Sequence, residues 1–538
     1  MNTFLIALDG ASPDLIDKWI KDGYLENLKK IKKQGLSGEL ESTFPPLTGP
    51  AWSSFHTGVN PGKHGVYNWL DLSDSYKGKV INKSSLKTKT VWKELSDQGE
   101  GIGLLSVPVT YPPEEVNGFV IPGFLTPSSA EQKSYPKDLI EELYQAVPEY
   151  EFLPEPFTKG KKPKEWEAEL KSSVRSRGAA ARYLYENHLE ENGTMAIHFF
   201  ATDHVQHYLW DEVTEDWDPR AEVFKEADKQ IGKLMEIAPD DSKFIILSDH
   251  GFGPLEKTFN VNTWLEEEGY LNLNDNFRAK IKEGLAKIGF TQQNRRNIGE
   301  YIYYFVKEVL GINFIDNPIV GLPTNDLMKL LFLSEDSVDW KRTQAYSRSD
   351  IGHVRVNLKE RENKGAVDGD YETIRREIMK KLANLKVSDA EKKMAEWVKT
   401  KEELYSGPYL DDAPDILFNP LEGANCFGKM VGYGAIMFYN SSLFSGKLHP
   451  AHHRRDGILM AYGNGIKSQE KNASILDLAP TVLNLNSRKI PYQMDGEVIR
   501  EISPKEPSYY ETKDFYKEPT EVKRNEETRE KMESLGYL

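Results

Sequence analysis

Short apolar runs, each closed by a polar turn, alternate with longer stretches of helical spacing through the first half of the chain. Phe4 to Leu8, Ile102 to Ser106, Met195 to Phe200 and Phe244 to Leu247 have the length and composition of buried strands. Arg175 to Asn187 and Ala221 to Ile237 repeat their apolar residues at the spacing of an amphipathic helix. Apolar strands separated by helices predict an α/β fold: a mostly parallel central sheet flanked by helices on both faces. Functional residues in such folds gather beyond the carboxyl ends of the strands. Asp9, Asp203 and Asp249 each follow a predicted strand within a few residues.

The chain opens strand, turn, helix: Phe4 to Leu8, then Asp9-Gly-Ala-Ser12, with Ser12 as the expected N-cap and Pro13 at the first helical position. From about Asn272 the pattern changes. Ile298 to Leu310 and Asp326 to Leu333 are amphipathic, Val354 to Leu358 is strand-like, and Tyr371 to Leu385 is a charged helical run. Sheet-type pattern resumes at Asp415 to Phe418 and Gly457 to Met460. The expected organisation is therefore a catalytic core over 1–270 and 411–502, an inserted cap over 271–410, and a Lys/Glu-rich tail over 503–538 that wraps the surface or is partly mobile.

At 538 residues the chain exceeds one compact core unless that core carries insertions. Lys plus Arg is 69 against 84 Asp plus Glu, a net charge of −15 that argues against binding a nucleic-acid polymer. A small phosphate-bearing substrate is compatible with that charge, because bound metal inverts the local potential. Cys426 is the single cysteine, which excludes an intrachain disulfide and a thiolate metal cluster. The first residues lack a basic leader, and no apolar run reaches the ~18 residues of a membrane span. A cytoplasmic enzyme is the expectation; oligomeric state is not legible.

Two sets of metal-ligating residue types stand far apart. In Asp203-His-Val-Gln-His207 a carboxylate and an imidazole are at i and i+4, on one helix face, so one ion can reach both; His204 and Gln206 point elsewhere. In Ser248-Asp-His-Gly251, Asp249 and His250 end an apolar strand, where an unpartnered carboxylate is costly. Oxygen and nitrogen ligands of this kind hold divalent metal. A solvated Asp–His pair and a helix-capping Asp are the competing readings, and Asp9 alone is equally an Asp-Gly turn. Thr48-Gly-Pro50 puts Thr48 near a helix amino end, where exposed amides favour an alkoxide or a phosphate oxygen; simple N-capping is the alternative. In Pro450-Ala-His-His-Arg-Arg-Asp-Gly457, His453 is a candidate third ligand beside Asp203 and His207, with His449 and His452 as rivals. Arg454 is a candidate phosphate contact, and so, within the inserted block, are Tyr346-Ser-Arg348 and His353-Val-Arg355.

With these residues in hand the chain resembles the alkaline phosphatase superfamily, and within it the type I phosphodiesterase/nucleotide pyrophosphatase family. Ala7-Leu-Asp-Gly10, Thr48 with Thr57-Gly58, Asn60-Pro-Gly-Lys-His-Gly65, Asp203 with His207, Ser248-Asp-His-Gly251, His453-Arg-Arg-Asp-Gly457, Ile475 to Thr481 and Met494-Asp-Gly496 follow the family's order. The likeness covers Met1 to about Tyr270 and about Pro414 to Ile502.

The resemblance implies one ion on Asp9, Thr48, Asp249 and His250, and a second on Asp203, His207 and His453. It implies that Thr48 attacks phosphorus to give a phosphothreonine that water hydrolyses, with zinc the usual ion and manganese the alternative. The implied substrate is a small phosphodiester or a nucleotide pyrophosphate. A phosphomonoesterase, phosphotransferase or mutase, or a non-catalytic binding member, is the runner-up. The family's phosphoryl-binding Asn has its nearest counterpart in Asn68, one residue short of the usual spacing. Thr43 is a rival nucleophile at the wrong distance from Thr57-Gly58, and no sulfatase signature surrounds Thr48 or Cys426.

Overall fold

The computed structural model describes residues 1–72, 76, 78–152, 161–255, 257–276, 337–348, 352–386, 393–420, 427–430, 444–446 and 450–517, with a few isolated positions besides. The helices expected at Ile298 to Leu310 and Asp326 to Leu333, together with Cys426 and His449, lie outside the described residues.

The runs that are apolar on every residue form the middle of a nine-stranded sheet. Its main strands are β1 (Thr3–Leu8), β2 (Leu36–Glu41), β3 (Ile102–Val107), β4 (Gly118–Pro122), β5 (Thr194–Phe199), β6 (Lys243–Leu247) and β7 (Asp456–Gly463). They run in the order Gln469–Glu470, β2, β7, β6, β1, β5, β3, β4, with Ala473–Ser474 also pairing β2. Pairings are parallel except those of β7, which is antiparallel to β2 and β6. The expected mostly parallel α/β sheet is what forms.

Alternation decides what each face buries. Phe4, Ile6 and Leu8 of β1 join Phe244 and Ile246 of β6 in one core, while Leu5, Ala7, Ile245 and Leu247 enter the other. The first core is covered by α1 (Pro13–Lys21), α2 (Glu26–Gln34), α4 (Pro163–His188), α5 (Ala201–Leu209) and α6 (Pro219–Ile237). The second is covered by α3 (Thr48–Thr57) and α7 (Leu478–Leu485), among others. Each strand thus buries both faces, which explains why its sequence is apolar without alternation. Register aligns the carboxyl ends: Leu8 lies beside Phe199, and Ala7 beside Leu247.

Part of the inserted block folds around its own core. Ala345–Tyr346, His353–Val356, Ile416–Pro420 and Ala395–Thr400 make a four-stranded antiparallel sheet, against which helix Tyr371–Asn384 packs. This corrects one expectation. Ile416–Pro420, read as the return to the core sheet, is an inner strand of the small sheet, because its partners are its neighbours from 353 and 395 onward. The start of the tail is tied down: Tyr509–Tyr510 pairs with Ile490–Pro491, and Phe515 is fully buried. No helix among the described residues is long and apolar enough to cross a membrane.

Candidate metal centre

Two turns at the carboxyl edge of the sheet are locked together before any ligand is considered. Gly10 carries the chain out of β1 with φ +71°, the left-handed region that favours glycine. A Cβ there would also meet Gln206 Nε2 at 3.0 Å and Asp203 Oδ1 at 3.4 Å, so the turn closes on α5. Ser248 Oγ accepts from the Ala11 amide (2.9 Å) and donates to the His250 carbonyl (2.6 Å), joining the turn after β1 to the turn after β6. Ser12 caps the start of α1 by backbone conformation only. Its hydroxyl is spent on Phe252, accepting from the amide at 2.6 Å and donating to the carbonyl at 2.8 Å. The expected side-chain cap is absent because this longer-range pairing competes for the same oxygen.

Around these turns the structure gathers Asp9, Thr48, Asp203, His207, Asp249, His250 and His453, all buried. Ligand atoms of Asp9, Asp249 and His250 lie within 4.8 Å of one another, as do those of Asp203, His250 and His453. His250 Nε2 is 3.4 Å from Asp9 Oδ1, 3.5 Å from Asp249 Oδ2 and 3.2 Å from Thr48 Oγ1. In the second group Asp203 Oδ1 is 3.4 Å from His207 Nε2 and 3.3 Å from His453 Nε2, and the two imidazole nitrogens are 3.0 Å apart. His250 and His453 stack with centroids 3.6 Å apart, so the groups adjoin and His250 is within reach of both.

The ring tautomers suit metal ligation. His453 Nδ1 donates to the Pro46 carbonyl (3.1 Å) and His250 Nδ1 to the Gly251 carbonyl (3.0 Å), leaving each Nε2 lone pair facing the cluster. His453 reaches it because strand Ala451–Arg454 pairs with Gly251–Pro254, setting His453 opposite Phe252. Its rival His452 instead accepts the His453 amide at its Nδ1. Arg454, next along the strand, takes the other side and donates to the Pro254 carbonyl at 3.3 Å; the structure does not bring it to the cluster.

The electrostatics are those of a site short of positive charge. Asp9 Oδ1 and both oxygens of Asp249 are buried and accept no hydrogen bond among the described residues. Burial drives the Asp9 pKa well above the ordinary carboxylate range, and the charges of Asp249 and Asp203 push it further. Burial lowers the His250 pKa, against the pull of Asp249. Neutral imidazoles beside unpartnered buried carboxylates fit a divalent cation in chemistry and in number of donors.

Thr48 is the first residue of α3 and is not a cap: Leu47 holds that position, without a side-chain hydrogen bond. Pro50 has no N–H and the Ala51 amide bonds Leu47, so the Thr48 and Gly49 amides are the helix's orphan donors. Beside them a Cβ at Gly49 would lie 2.9 Å from Ile81 Cδ1. Ile81 also lines a cleft formed by 65–72 with Arg348, His353, Arg355 and Asp412. The sequence candidates Asn68 and Arg348 meet there, the Asn68 amide donating to the Arg348 carbonyl at 3.0 Å.

Sequence reasoning missed His198, whose Nε2 is 2.8 Å from Asp9 Oδ2. The signal was a lone imidazole inside Met195-Ala-Ile-His-Phe199, an otherwise apolar strand.

A carboxylate–imidazole cluster beside a helix-terminal hydroxyl, at the carboxyl edge of a parallel sheet, can bind divalent metal next to a nucleophile. Residues 3–429 match the family model of type I phosphodiesterase / nucleotide pyrophosphatase. The chain belongs to this family of phosphoesterases. A search of the curated proteins finds no match. Among solved structures it is similar to phosphonoacetate hydrolase from Sinorhizobium meliloti 1021 in complex with phosphonoacetate (14% identity, TM-score 0.49, 88% of this chain and 93% of that one). It is also similar to human ectonucleotide pyrophosphatase / phosphodiesterase 5 (13%, 0.45, 92% and 97%) and to wild-type alkaline phosphatase PafA (13%, 0.47, 93% and 98%).

Proposed function

We propose that this protein is a two-metal phosphoesterase that hydrolyses a phosphodiester or nucleotide pyrophosphate bond through a phosphothreonine on Thr48. The observation that carries the reading is the Thr48 hydroxyl, 3.2 Å from His250 Nε2, at the rim of the buried Asp9 and Asp249 carboxylates, with which no Lys or Arg pairs among the described residues.

Asp9, Asp249 and His250, with Thr48, would hold one ion; Asp203, His207 and His453 would hold the other. Zinc suits this donor set, and manganese is the alternative. Such ions, when bound, lower the pKa of a hydroxyl and neutralise charge on entering and leaving oxygens. The chain supplies the rest. Thr48 Oγ1 attacks phosphorus, the bond from phosphorus to the leaving oxygen breaks, and the leaving group departs with a proton. Water then attacks the phosphothreonine, which for a diester still carries the second ester group, the bond from phosphorus to Oγ1 breaks, and Thr48 is regenerated with release of a phosphate monoester. The Thr48 and Gly49 amides, at the positive end of α3, point where a phosphoryl oxygen gains charge. The cleft at Asn68, Arg348, His353 and Arg355 is suited to the part of the substrate beyond the phosphorus.

Hydrolysis of bis-p-nitrophenyl phosphate tests this. Metal-stripped protein is assayed alone, with zinc and with manganese, beside Thr48→Ala. The expected result is p-nitrophenol release that requires metal and is lost in the variant. Absence of release with either ion, or full release by Thr48→Ala, refutes the reading. Formation of a mixed diester with an added alcohol, and no p-nitrophenyl phosphate, would favour a phosphotransferase instead.

A further inference from the structure

Behind Asp9, on the side away from the ligand cluster, lies a chain of buried groups that the mechanism above leaves idle. Asp9 uses its two oxygens differently. Oδ2 is 2.8 Å from His198 Nε2, while Oδ1 accepts no hydrogen bond among the described residues and faces His250. His198 sits on β5, level with Ala7 of β1, and is fully buried. Its ring is held edge-on by Trp52 of α3, with centroids 5.3 Å apart and planes at 87°, so the helix bearing Thr48 helps to fix it.

The next strand is distorted beside it. The register of β3 against β4 shifts between Leu105 and Val107, and Ser106, at the shift, has φ +60°. A non-glycine residue in that region costs on the order of 1–3 kcal/mol and persists where its surroundings fix it; such bulges cluster next to active sites. What fixes Ser106 is Arg177 of α4, whose Nε donates to Ser106 Oγ at 2.9 Å, together with the Tyr150 hydroxyl 3.2 Å from the same oxygen. Arg177 is buried, its other hydrogen bonds go to Ser173 Oγ and the Glu151 carbonyl, both at 3.4 Å, and it forms no ion pair among the described residues. A guanidinium buried without a carboxylate is costly unless charge nearby offsets it.

We infer that His198, braced by Trp52 and by the bulge at Ser106 that Arg177 holds, is a positioning residue for Asp9. It donates to Oδ2 and thereby turns Oδ1 toward the ion that Asp9, Asp249 and His250 would share. The inference rests on the two-metal reading. It also explains a buried cation and a strained serine that the core does not need.

The test is metal binding, not turnover. Full-length protein is stripped of metal, and zinc is titrated in competition with a chelating dye, with thermal melts recorded in parallel. Two variants separate positioning from packing. In His198→Gln the amide nitrogen reaches about as far as Nε2 and keeps the donor; in His198→Asn it falls short. The native protein is expected to bind two equivalents. His198→Asn should weaken one equivalent roughly 10–100-fold, and His198→Gln should restore it to within about threefold. Ser106→Ala, which removes only the hydroxyl that Arg177 and Tyr150 hold, should weaken the same equivalent by about three- to tenfold and decides the matter if His198→Asn does not fold. Native affinity in His198→Asn and Ser106→Ala, or equal loss in the Asn and Gln variants, overturns the positioning role and leaves the two-metal reading standing. No zinc bound by the native protein overturns both.

Discussion

Asp415 and Asp9 are equally buried carboxylates, and the protein treats them in opposite ways. Asp415, in the small sheet, accepts from Arg361 at 2.9 and 2.7 Å, from Tyr371 at 2.9 Å and from the Val356 amide at 2.7 Å, with Lys401 3.4 Å away. Burial alone would raise its pKa, but the Arg361 contacts hold it down at about 2. Asp9 has the imidazoles of His198 and His250 for company, and burial first, then the charges of Asp249 and Asp203, drive its pKa up. No Lys or Arg pairs with Asp9 or Asp249 among the described residues. Where a buried carboxylate serves the fold, the same stretch of chain brings the cation. At the sheet edge the cation has to come from outside, and that absence is what distinguishes a binding centre from a structural ion pair.

The comparison can be broken most severely at Thr48. Thr48→Ala is expected to lower kcat at least about 10³-fold, with the fold intact by circular dichroism. Next come two matched substitutions of opposite sign. Asp415→Asn takes from Arg361 its two-oxygen partner, leaving it only Glu362, and should cost about 3 kcal/mol in denaturant unfolding. Asp249→Asn removes a repelling charge and should instead stabilise the metal-free protein, by about 1 kcal/mol, the worth of roughly one pKa unit. Zinc at 100 times its Kd should add about 2.7 kcal/mol to the native protein, read as a rise in Tm. Asp249→Asn should lose most of that gain.

The smallest effect is the pH dependence, which also differs in sign. Asp415, depressed in the folded state, contributes stability above its unfolded pKa near 3.8, and this is lost as pH falls toward about 2. Asp9, raised in the folded state, contributes stability below that unfolded value, and this is lost as pH rises through its folded pKa. Metal-free Asp415→Asn should therefore show a flatter acid limb in a plot of Tm against pH. Asp9→Asn should flatten the fall toward neutral pH, and a curve identical to native in both variants would contradict the contrast.

Much of this was legible in the sequence, for identifiable reasons. The runs at Phe4, Ile102, Met195 and Phe244 are buried on both faces, so apolar content alone marked them. Asp203 and His207 share a helix face by spacing, and Asp249-His250 end a strand. What was not legible depended on contacts between distant segments. Choosing His453 over His452 needs the pairing of Ala451–Arg454 with Gly251–Pro254, which also turns Arg454 away. Strand β2 is half exposed and rich in Glu and Ser, so it carries no apolar run. Ile416–Pro420 has a core strand's composition but belongs to the small sheet, since pattern gives burial and not partners. His198 was hidden because a single polar residue inside a strand looks like a tolerated exception until its neighbour across the sheet is known.

The central claim is that Thr48 carries the phosphoryl group in turnover. Acid quenching during hydrolysis of bis-p-nitrophenyl phosphate with zinc, followed by mass spectrometry of the peptide containing Thr43 and Thr48, tests it directly. The account predicts a p-nitrophenyl phosphoryl adduct on Thr48 that appears only with metal and substrate together. Turnover with no such adduct on Thr48, or with the adduct on Thr43 instead, would contradict it.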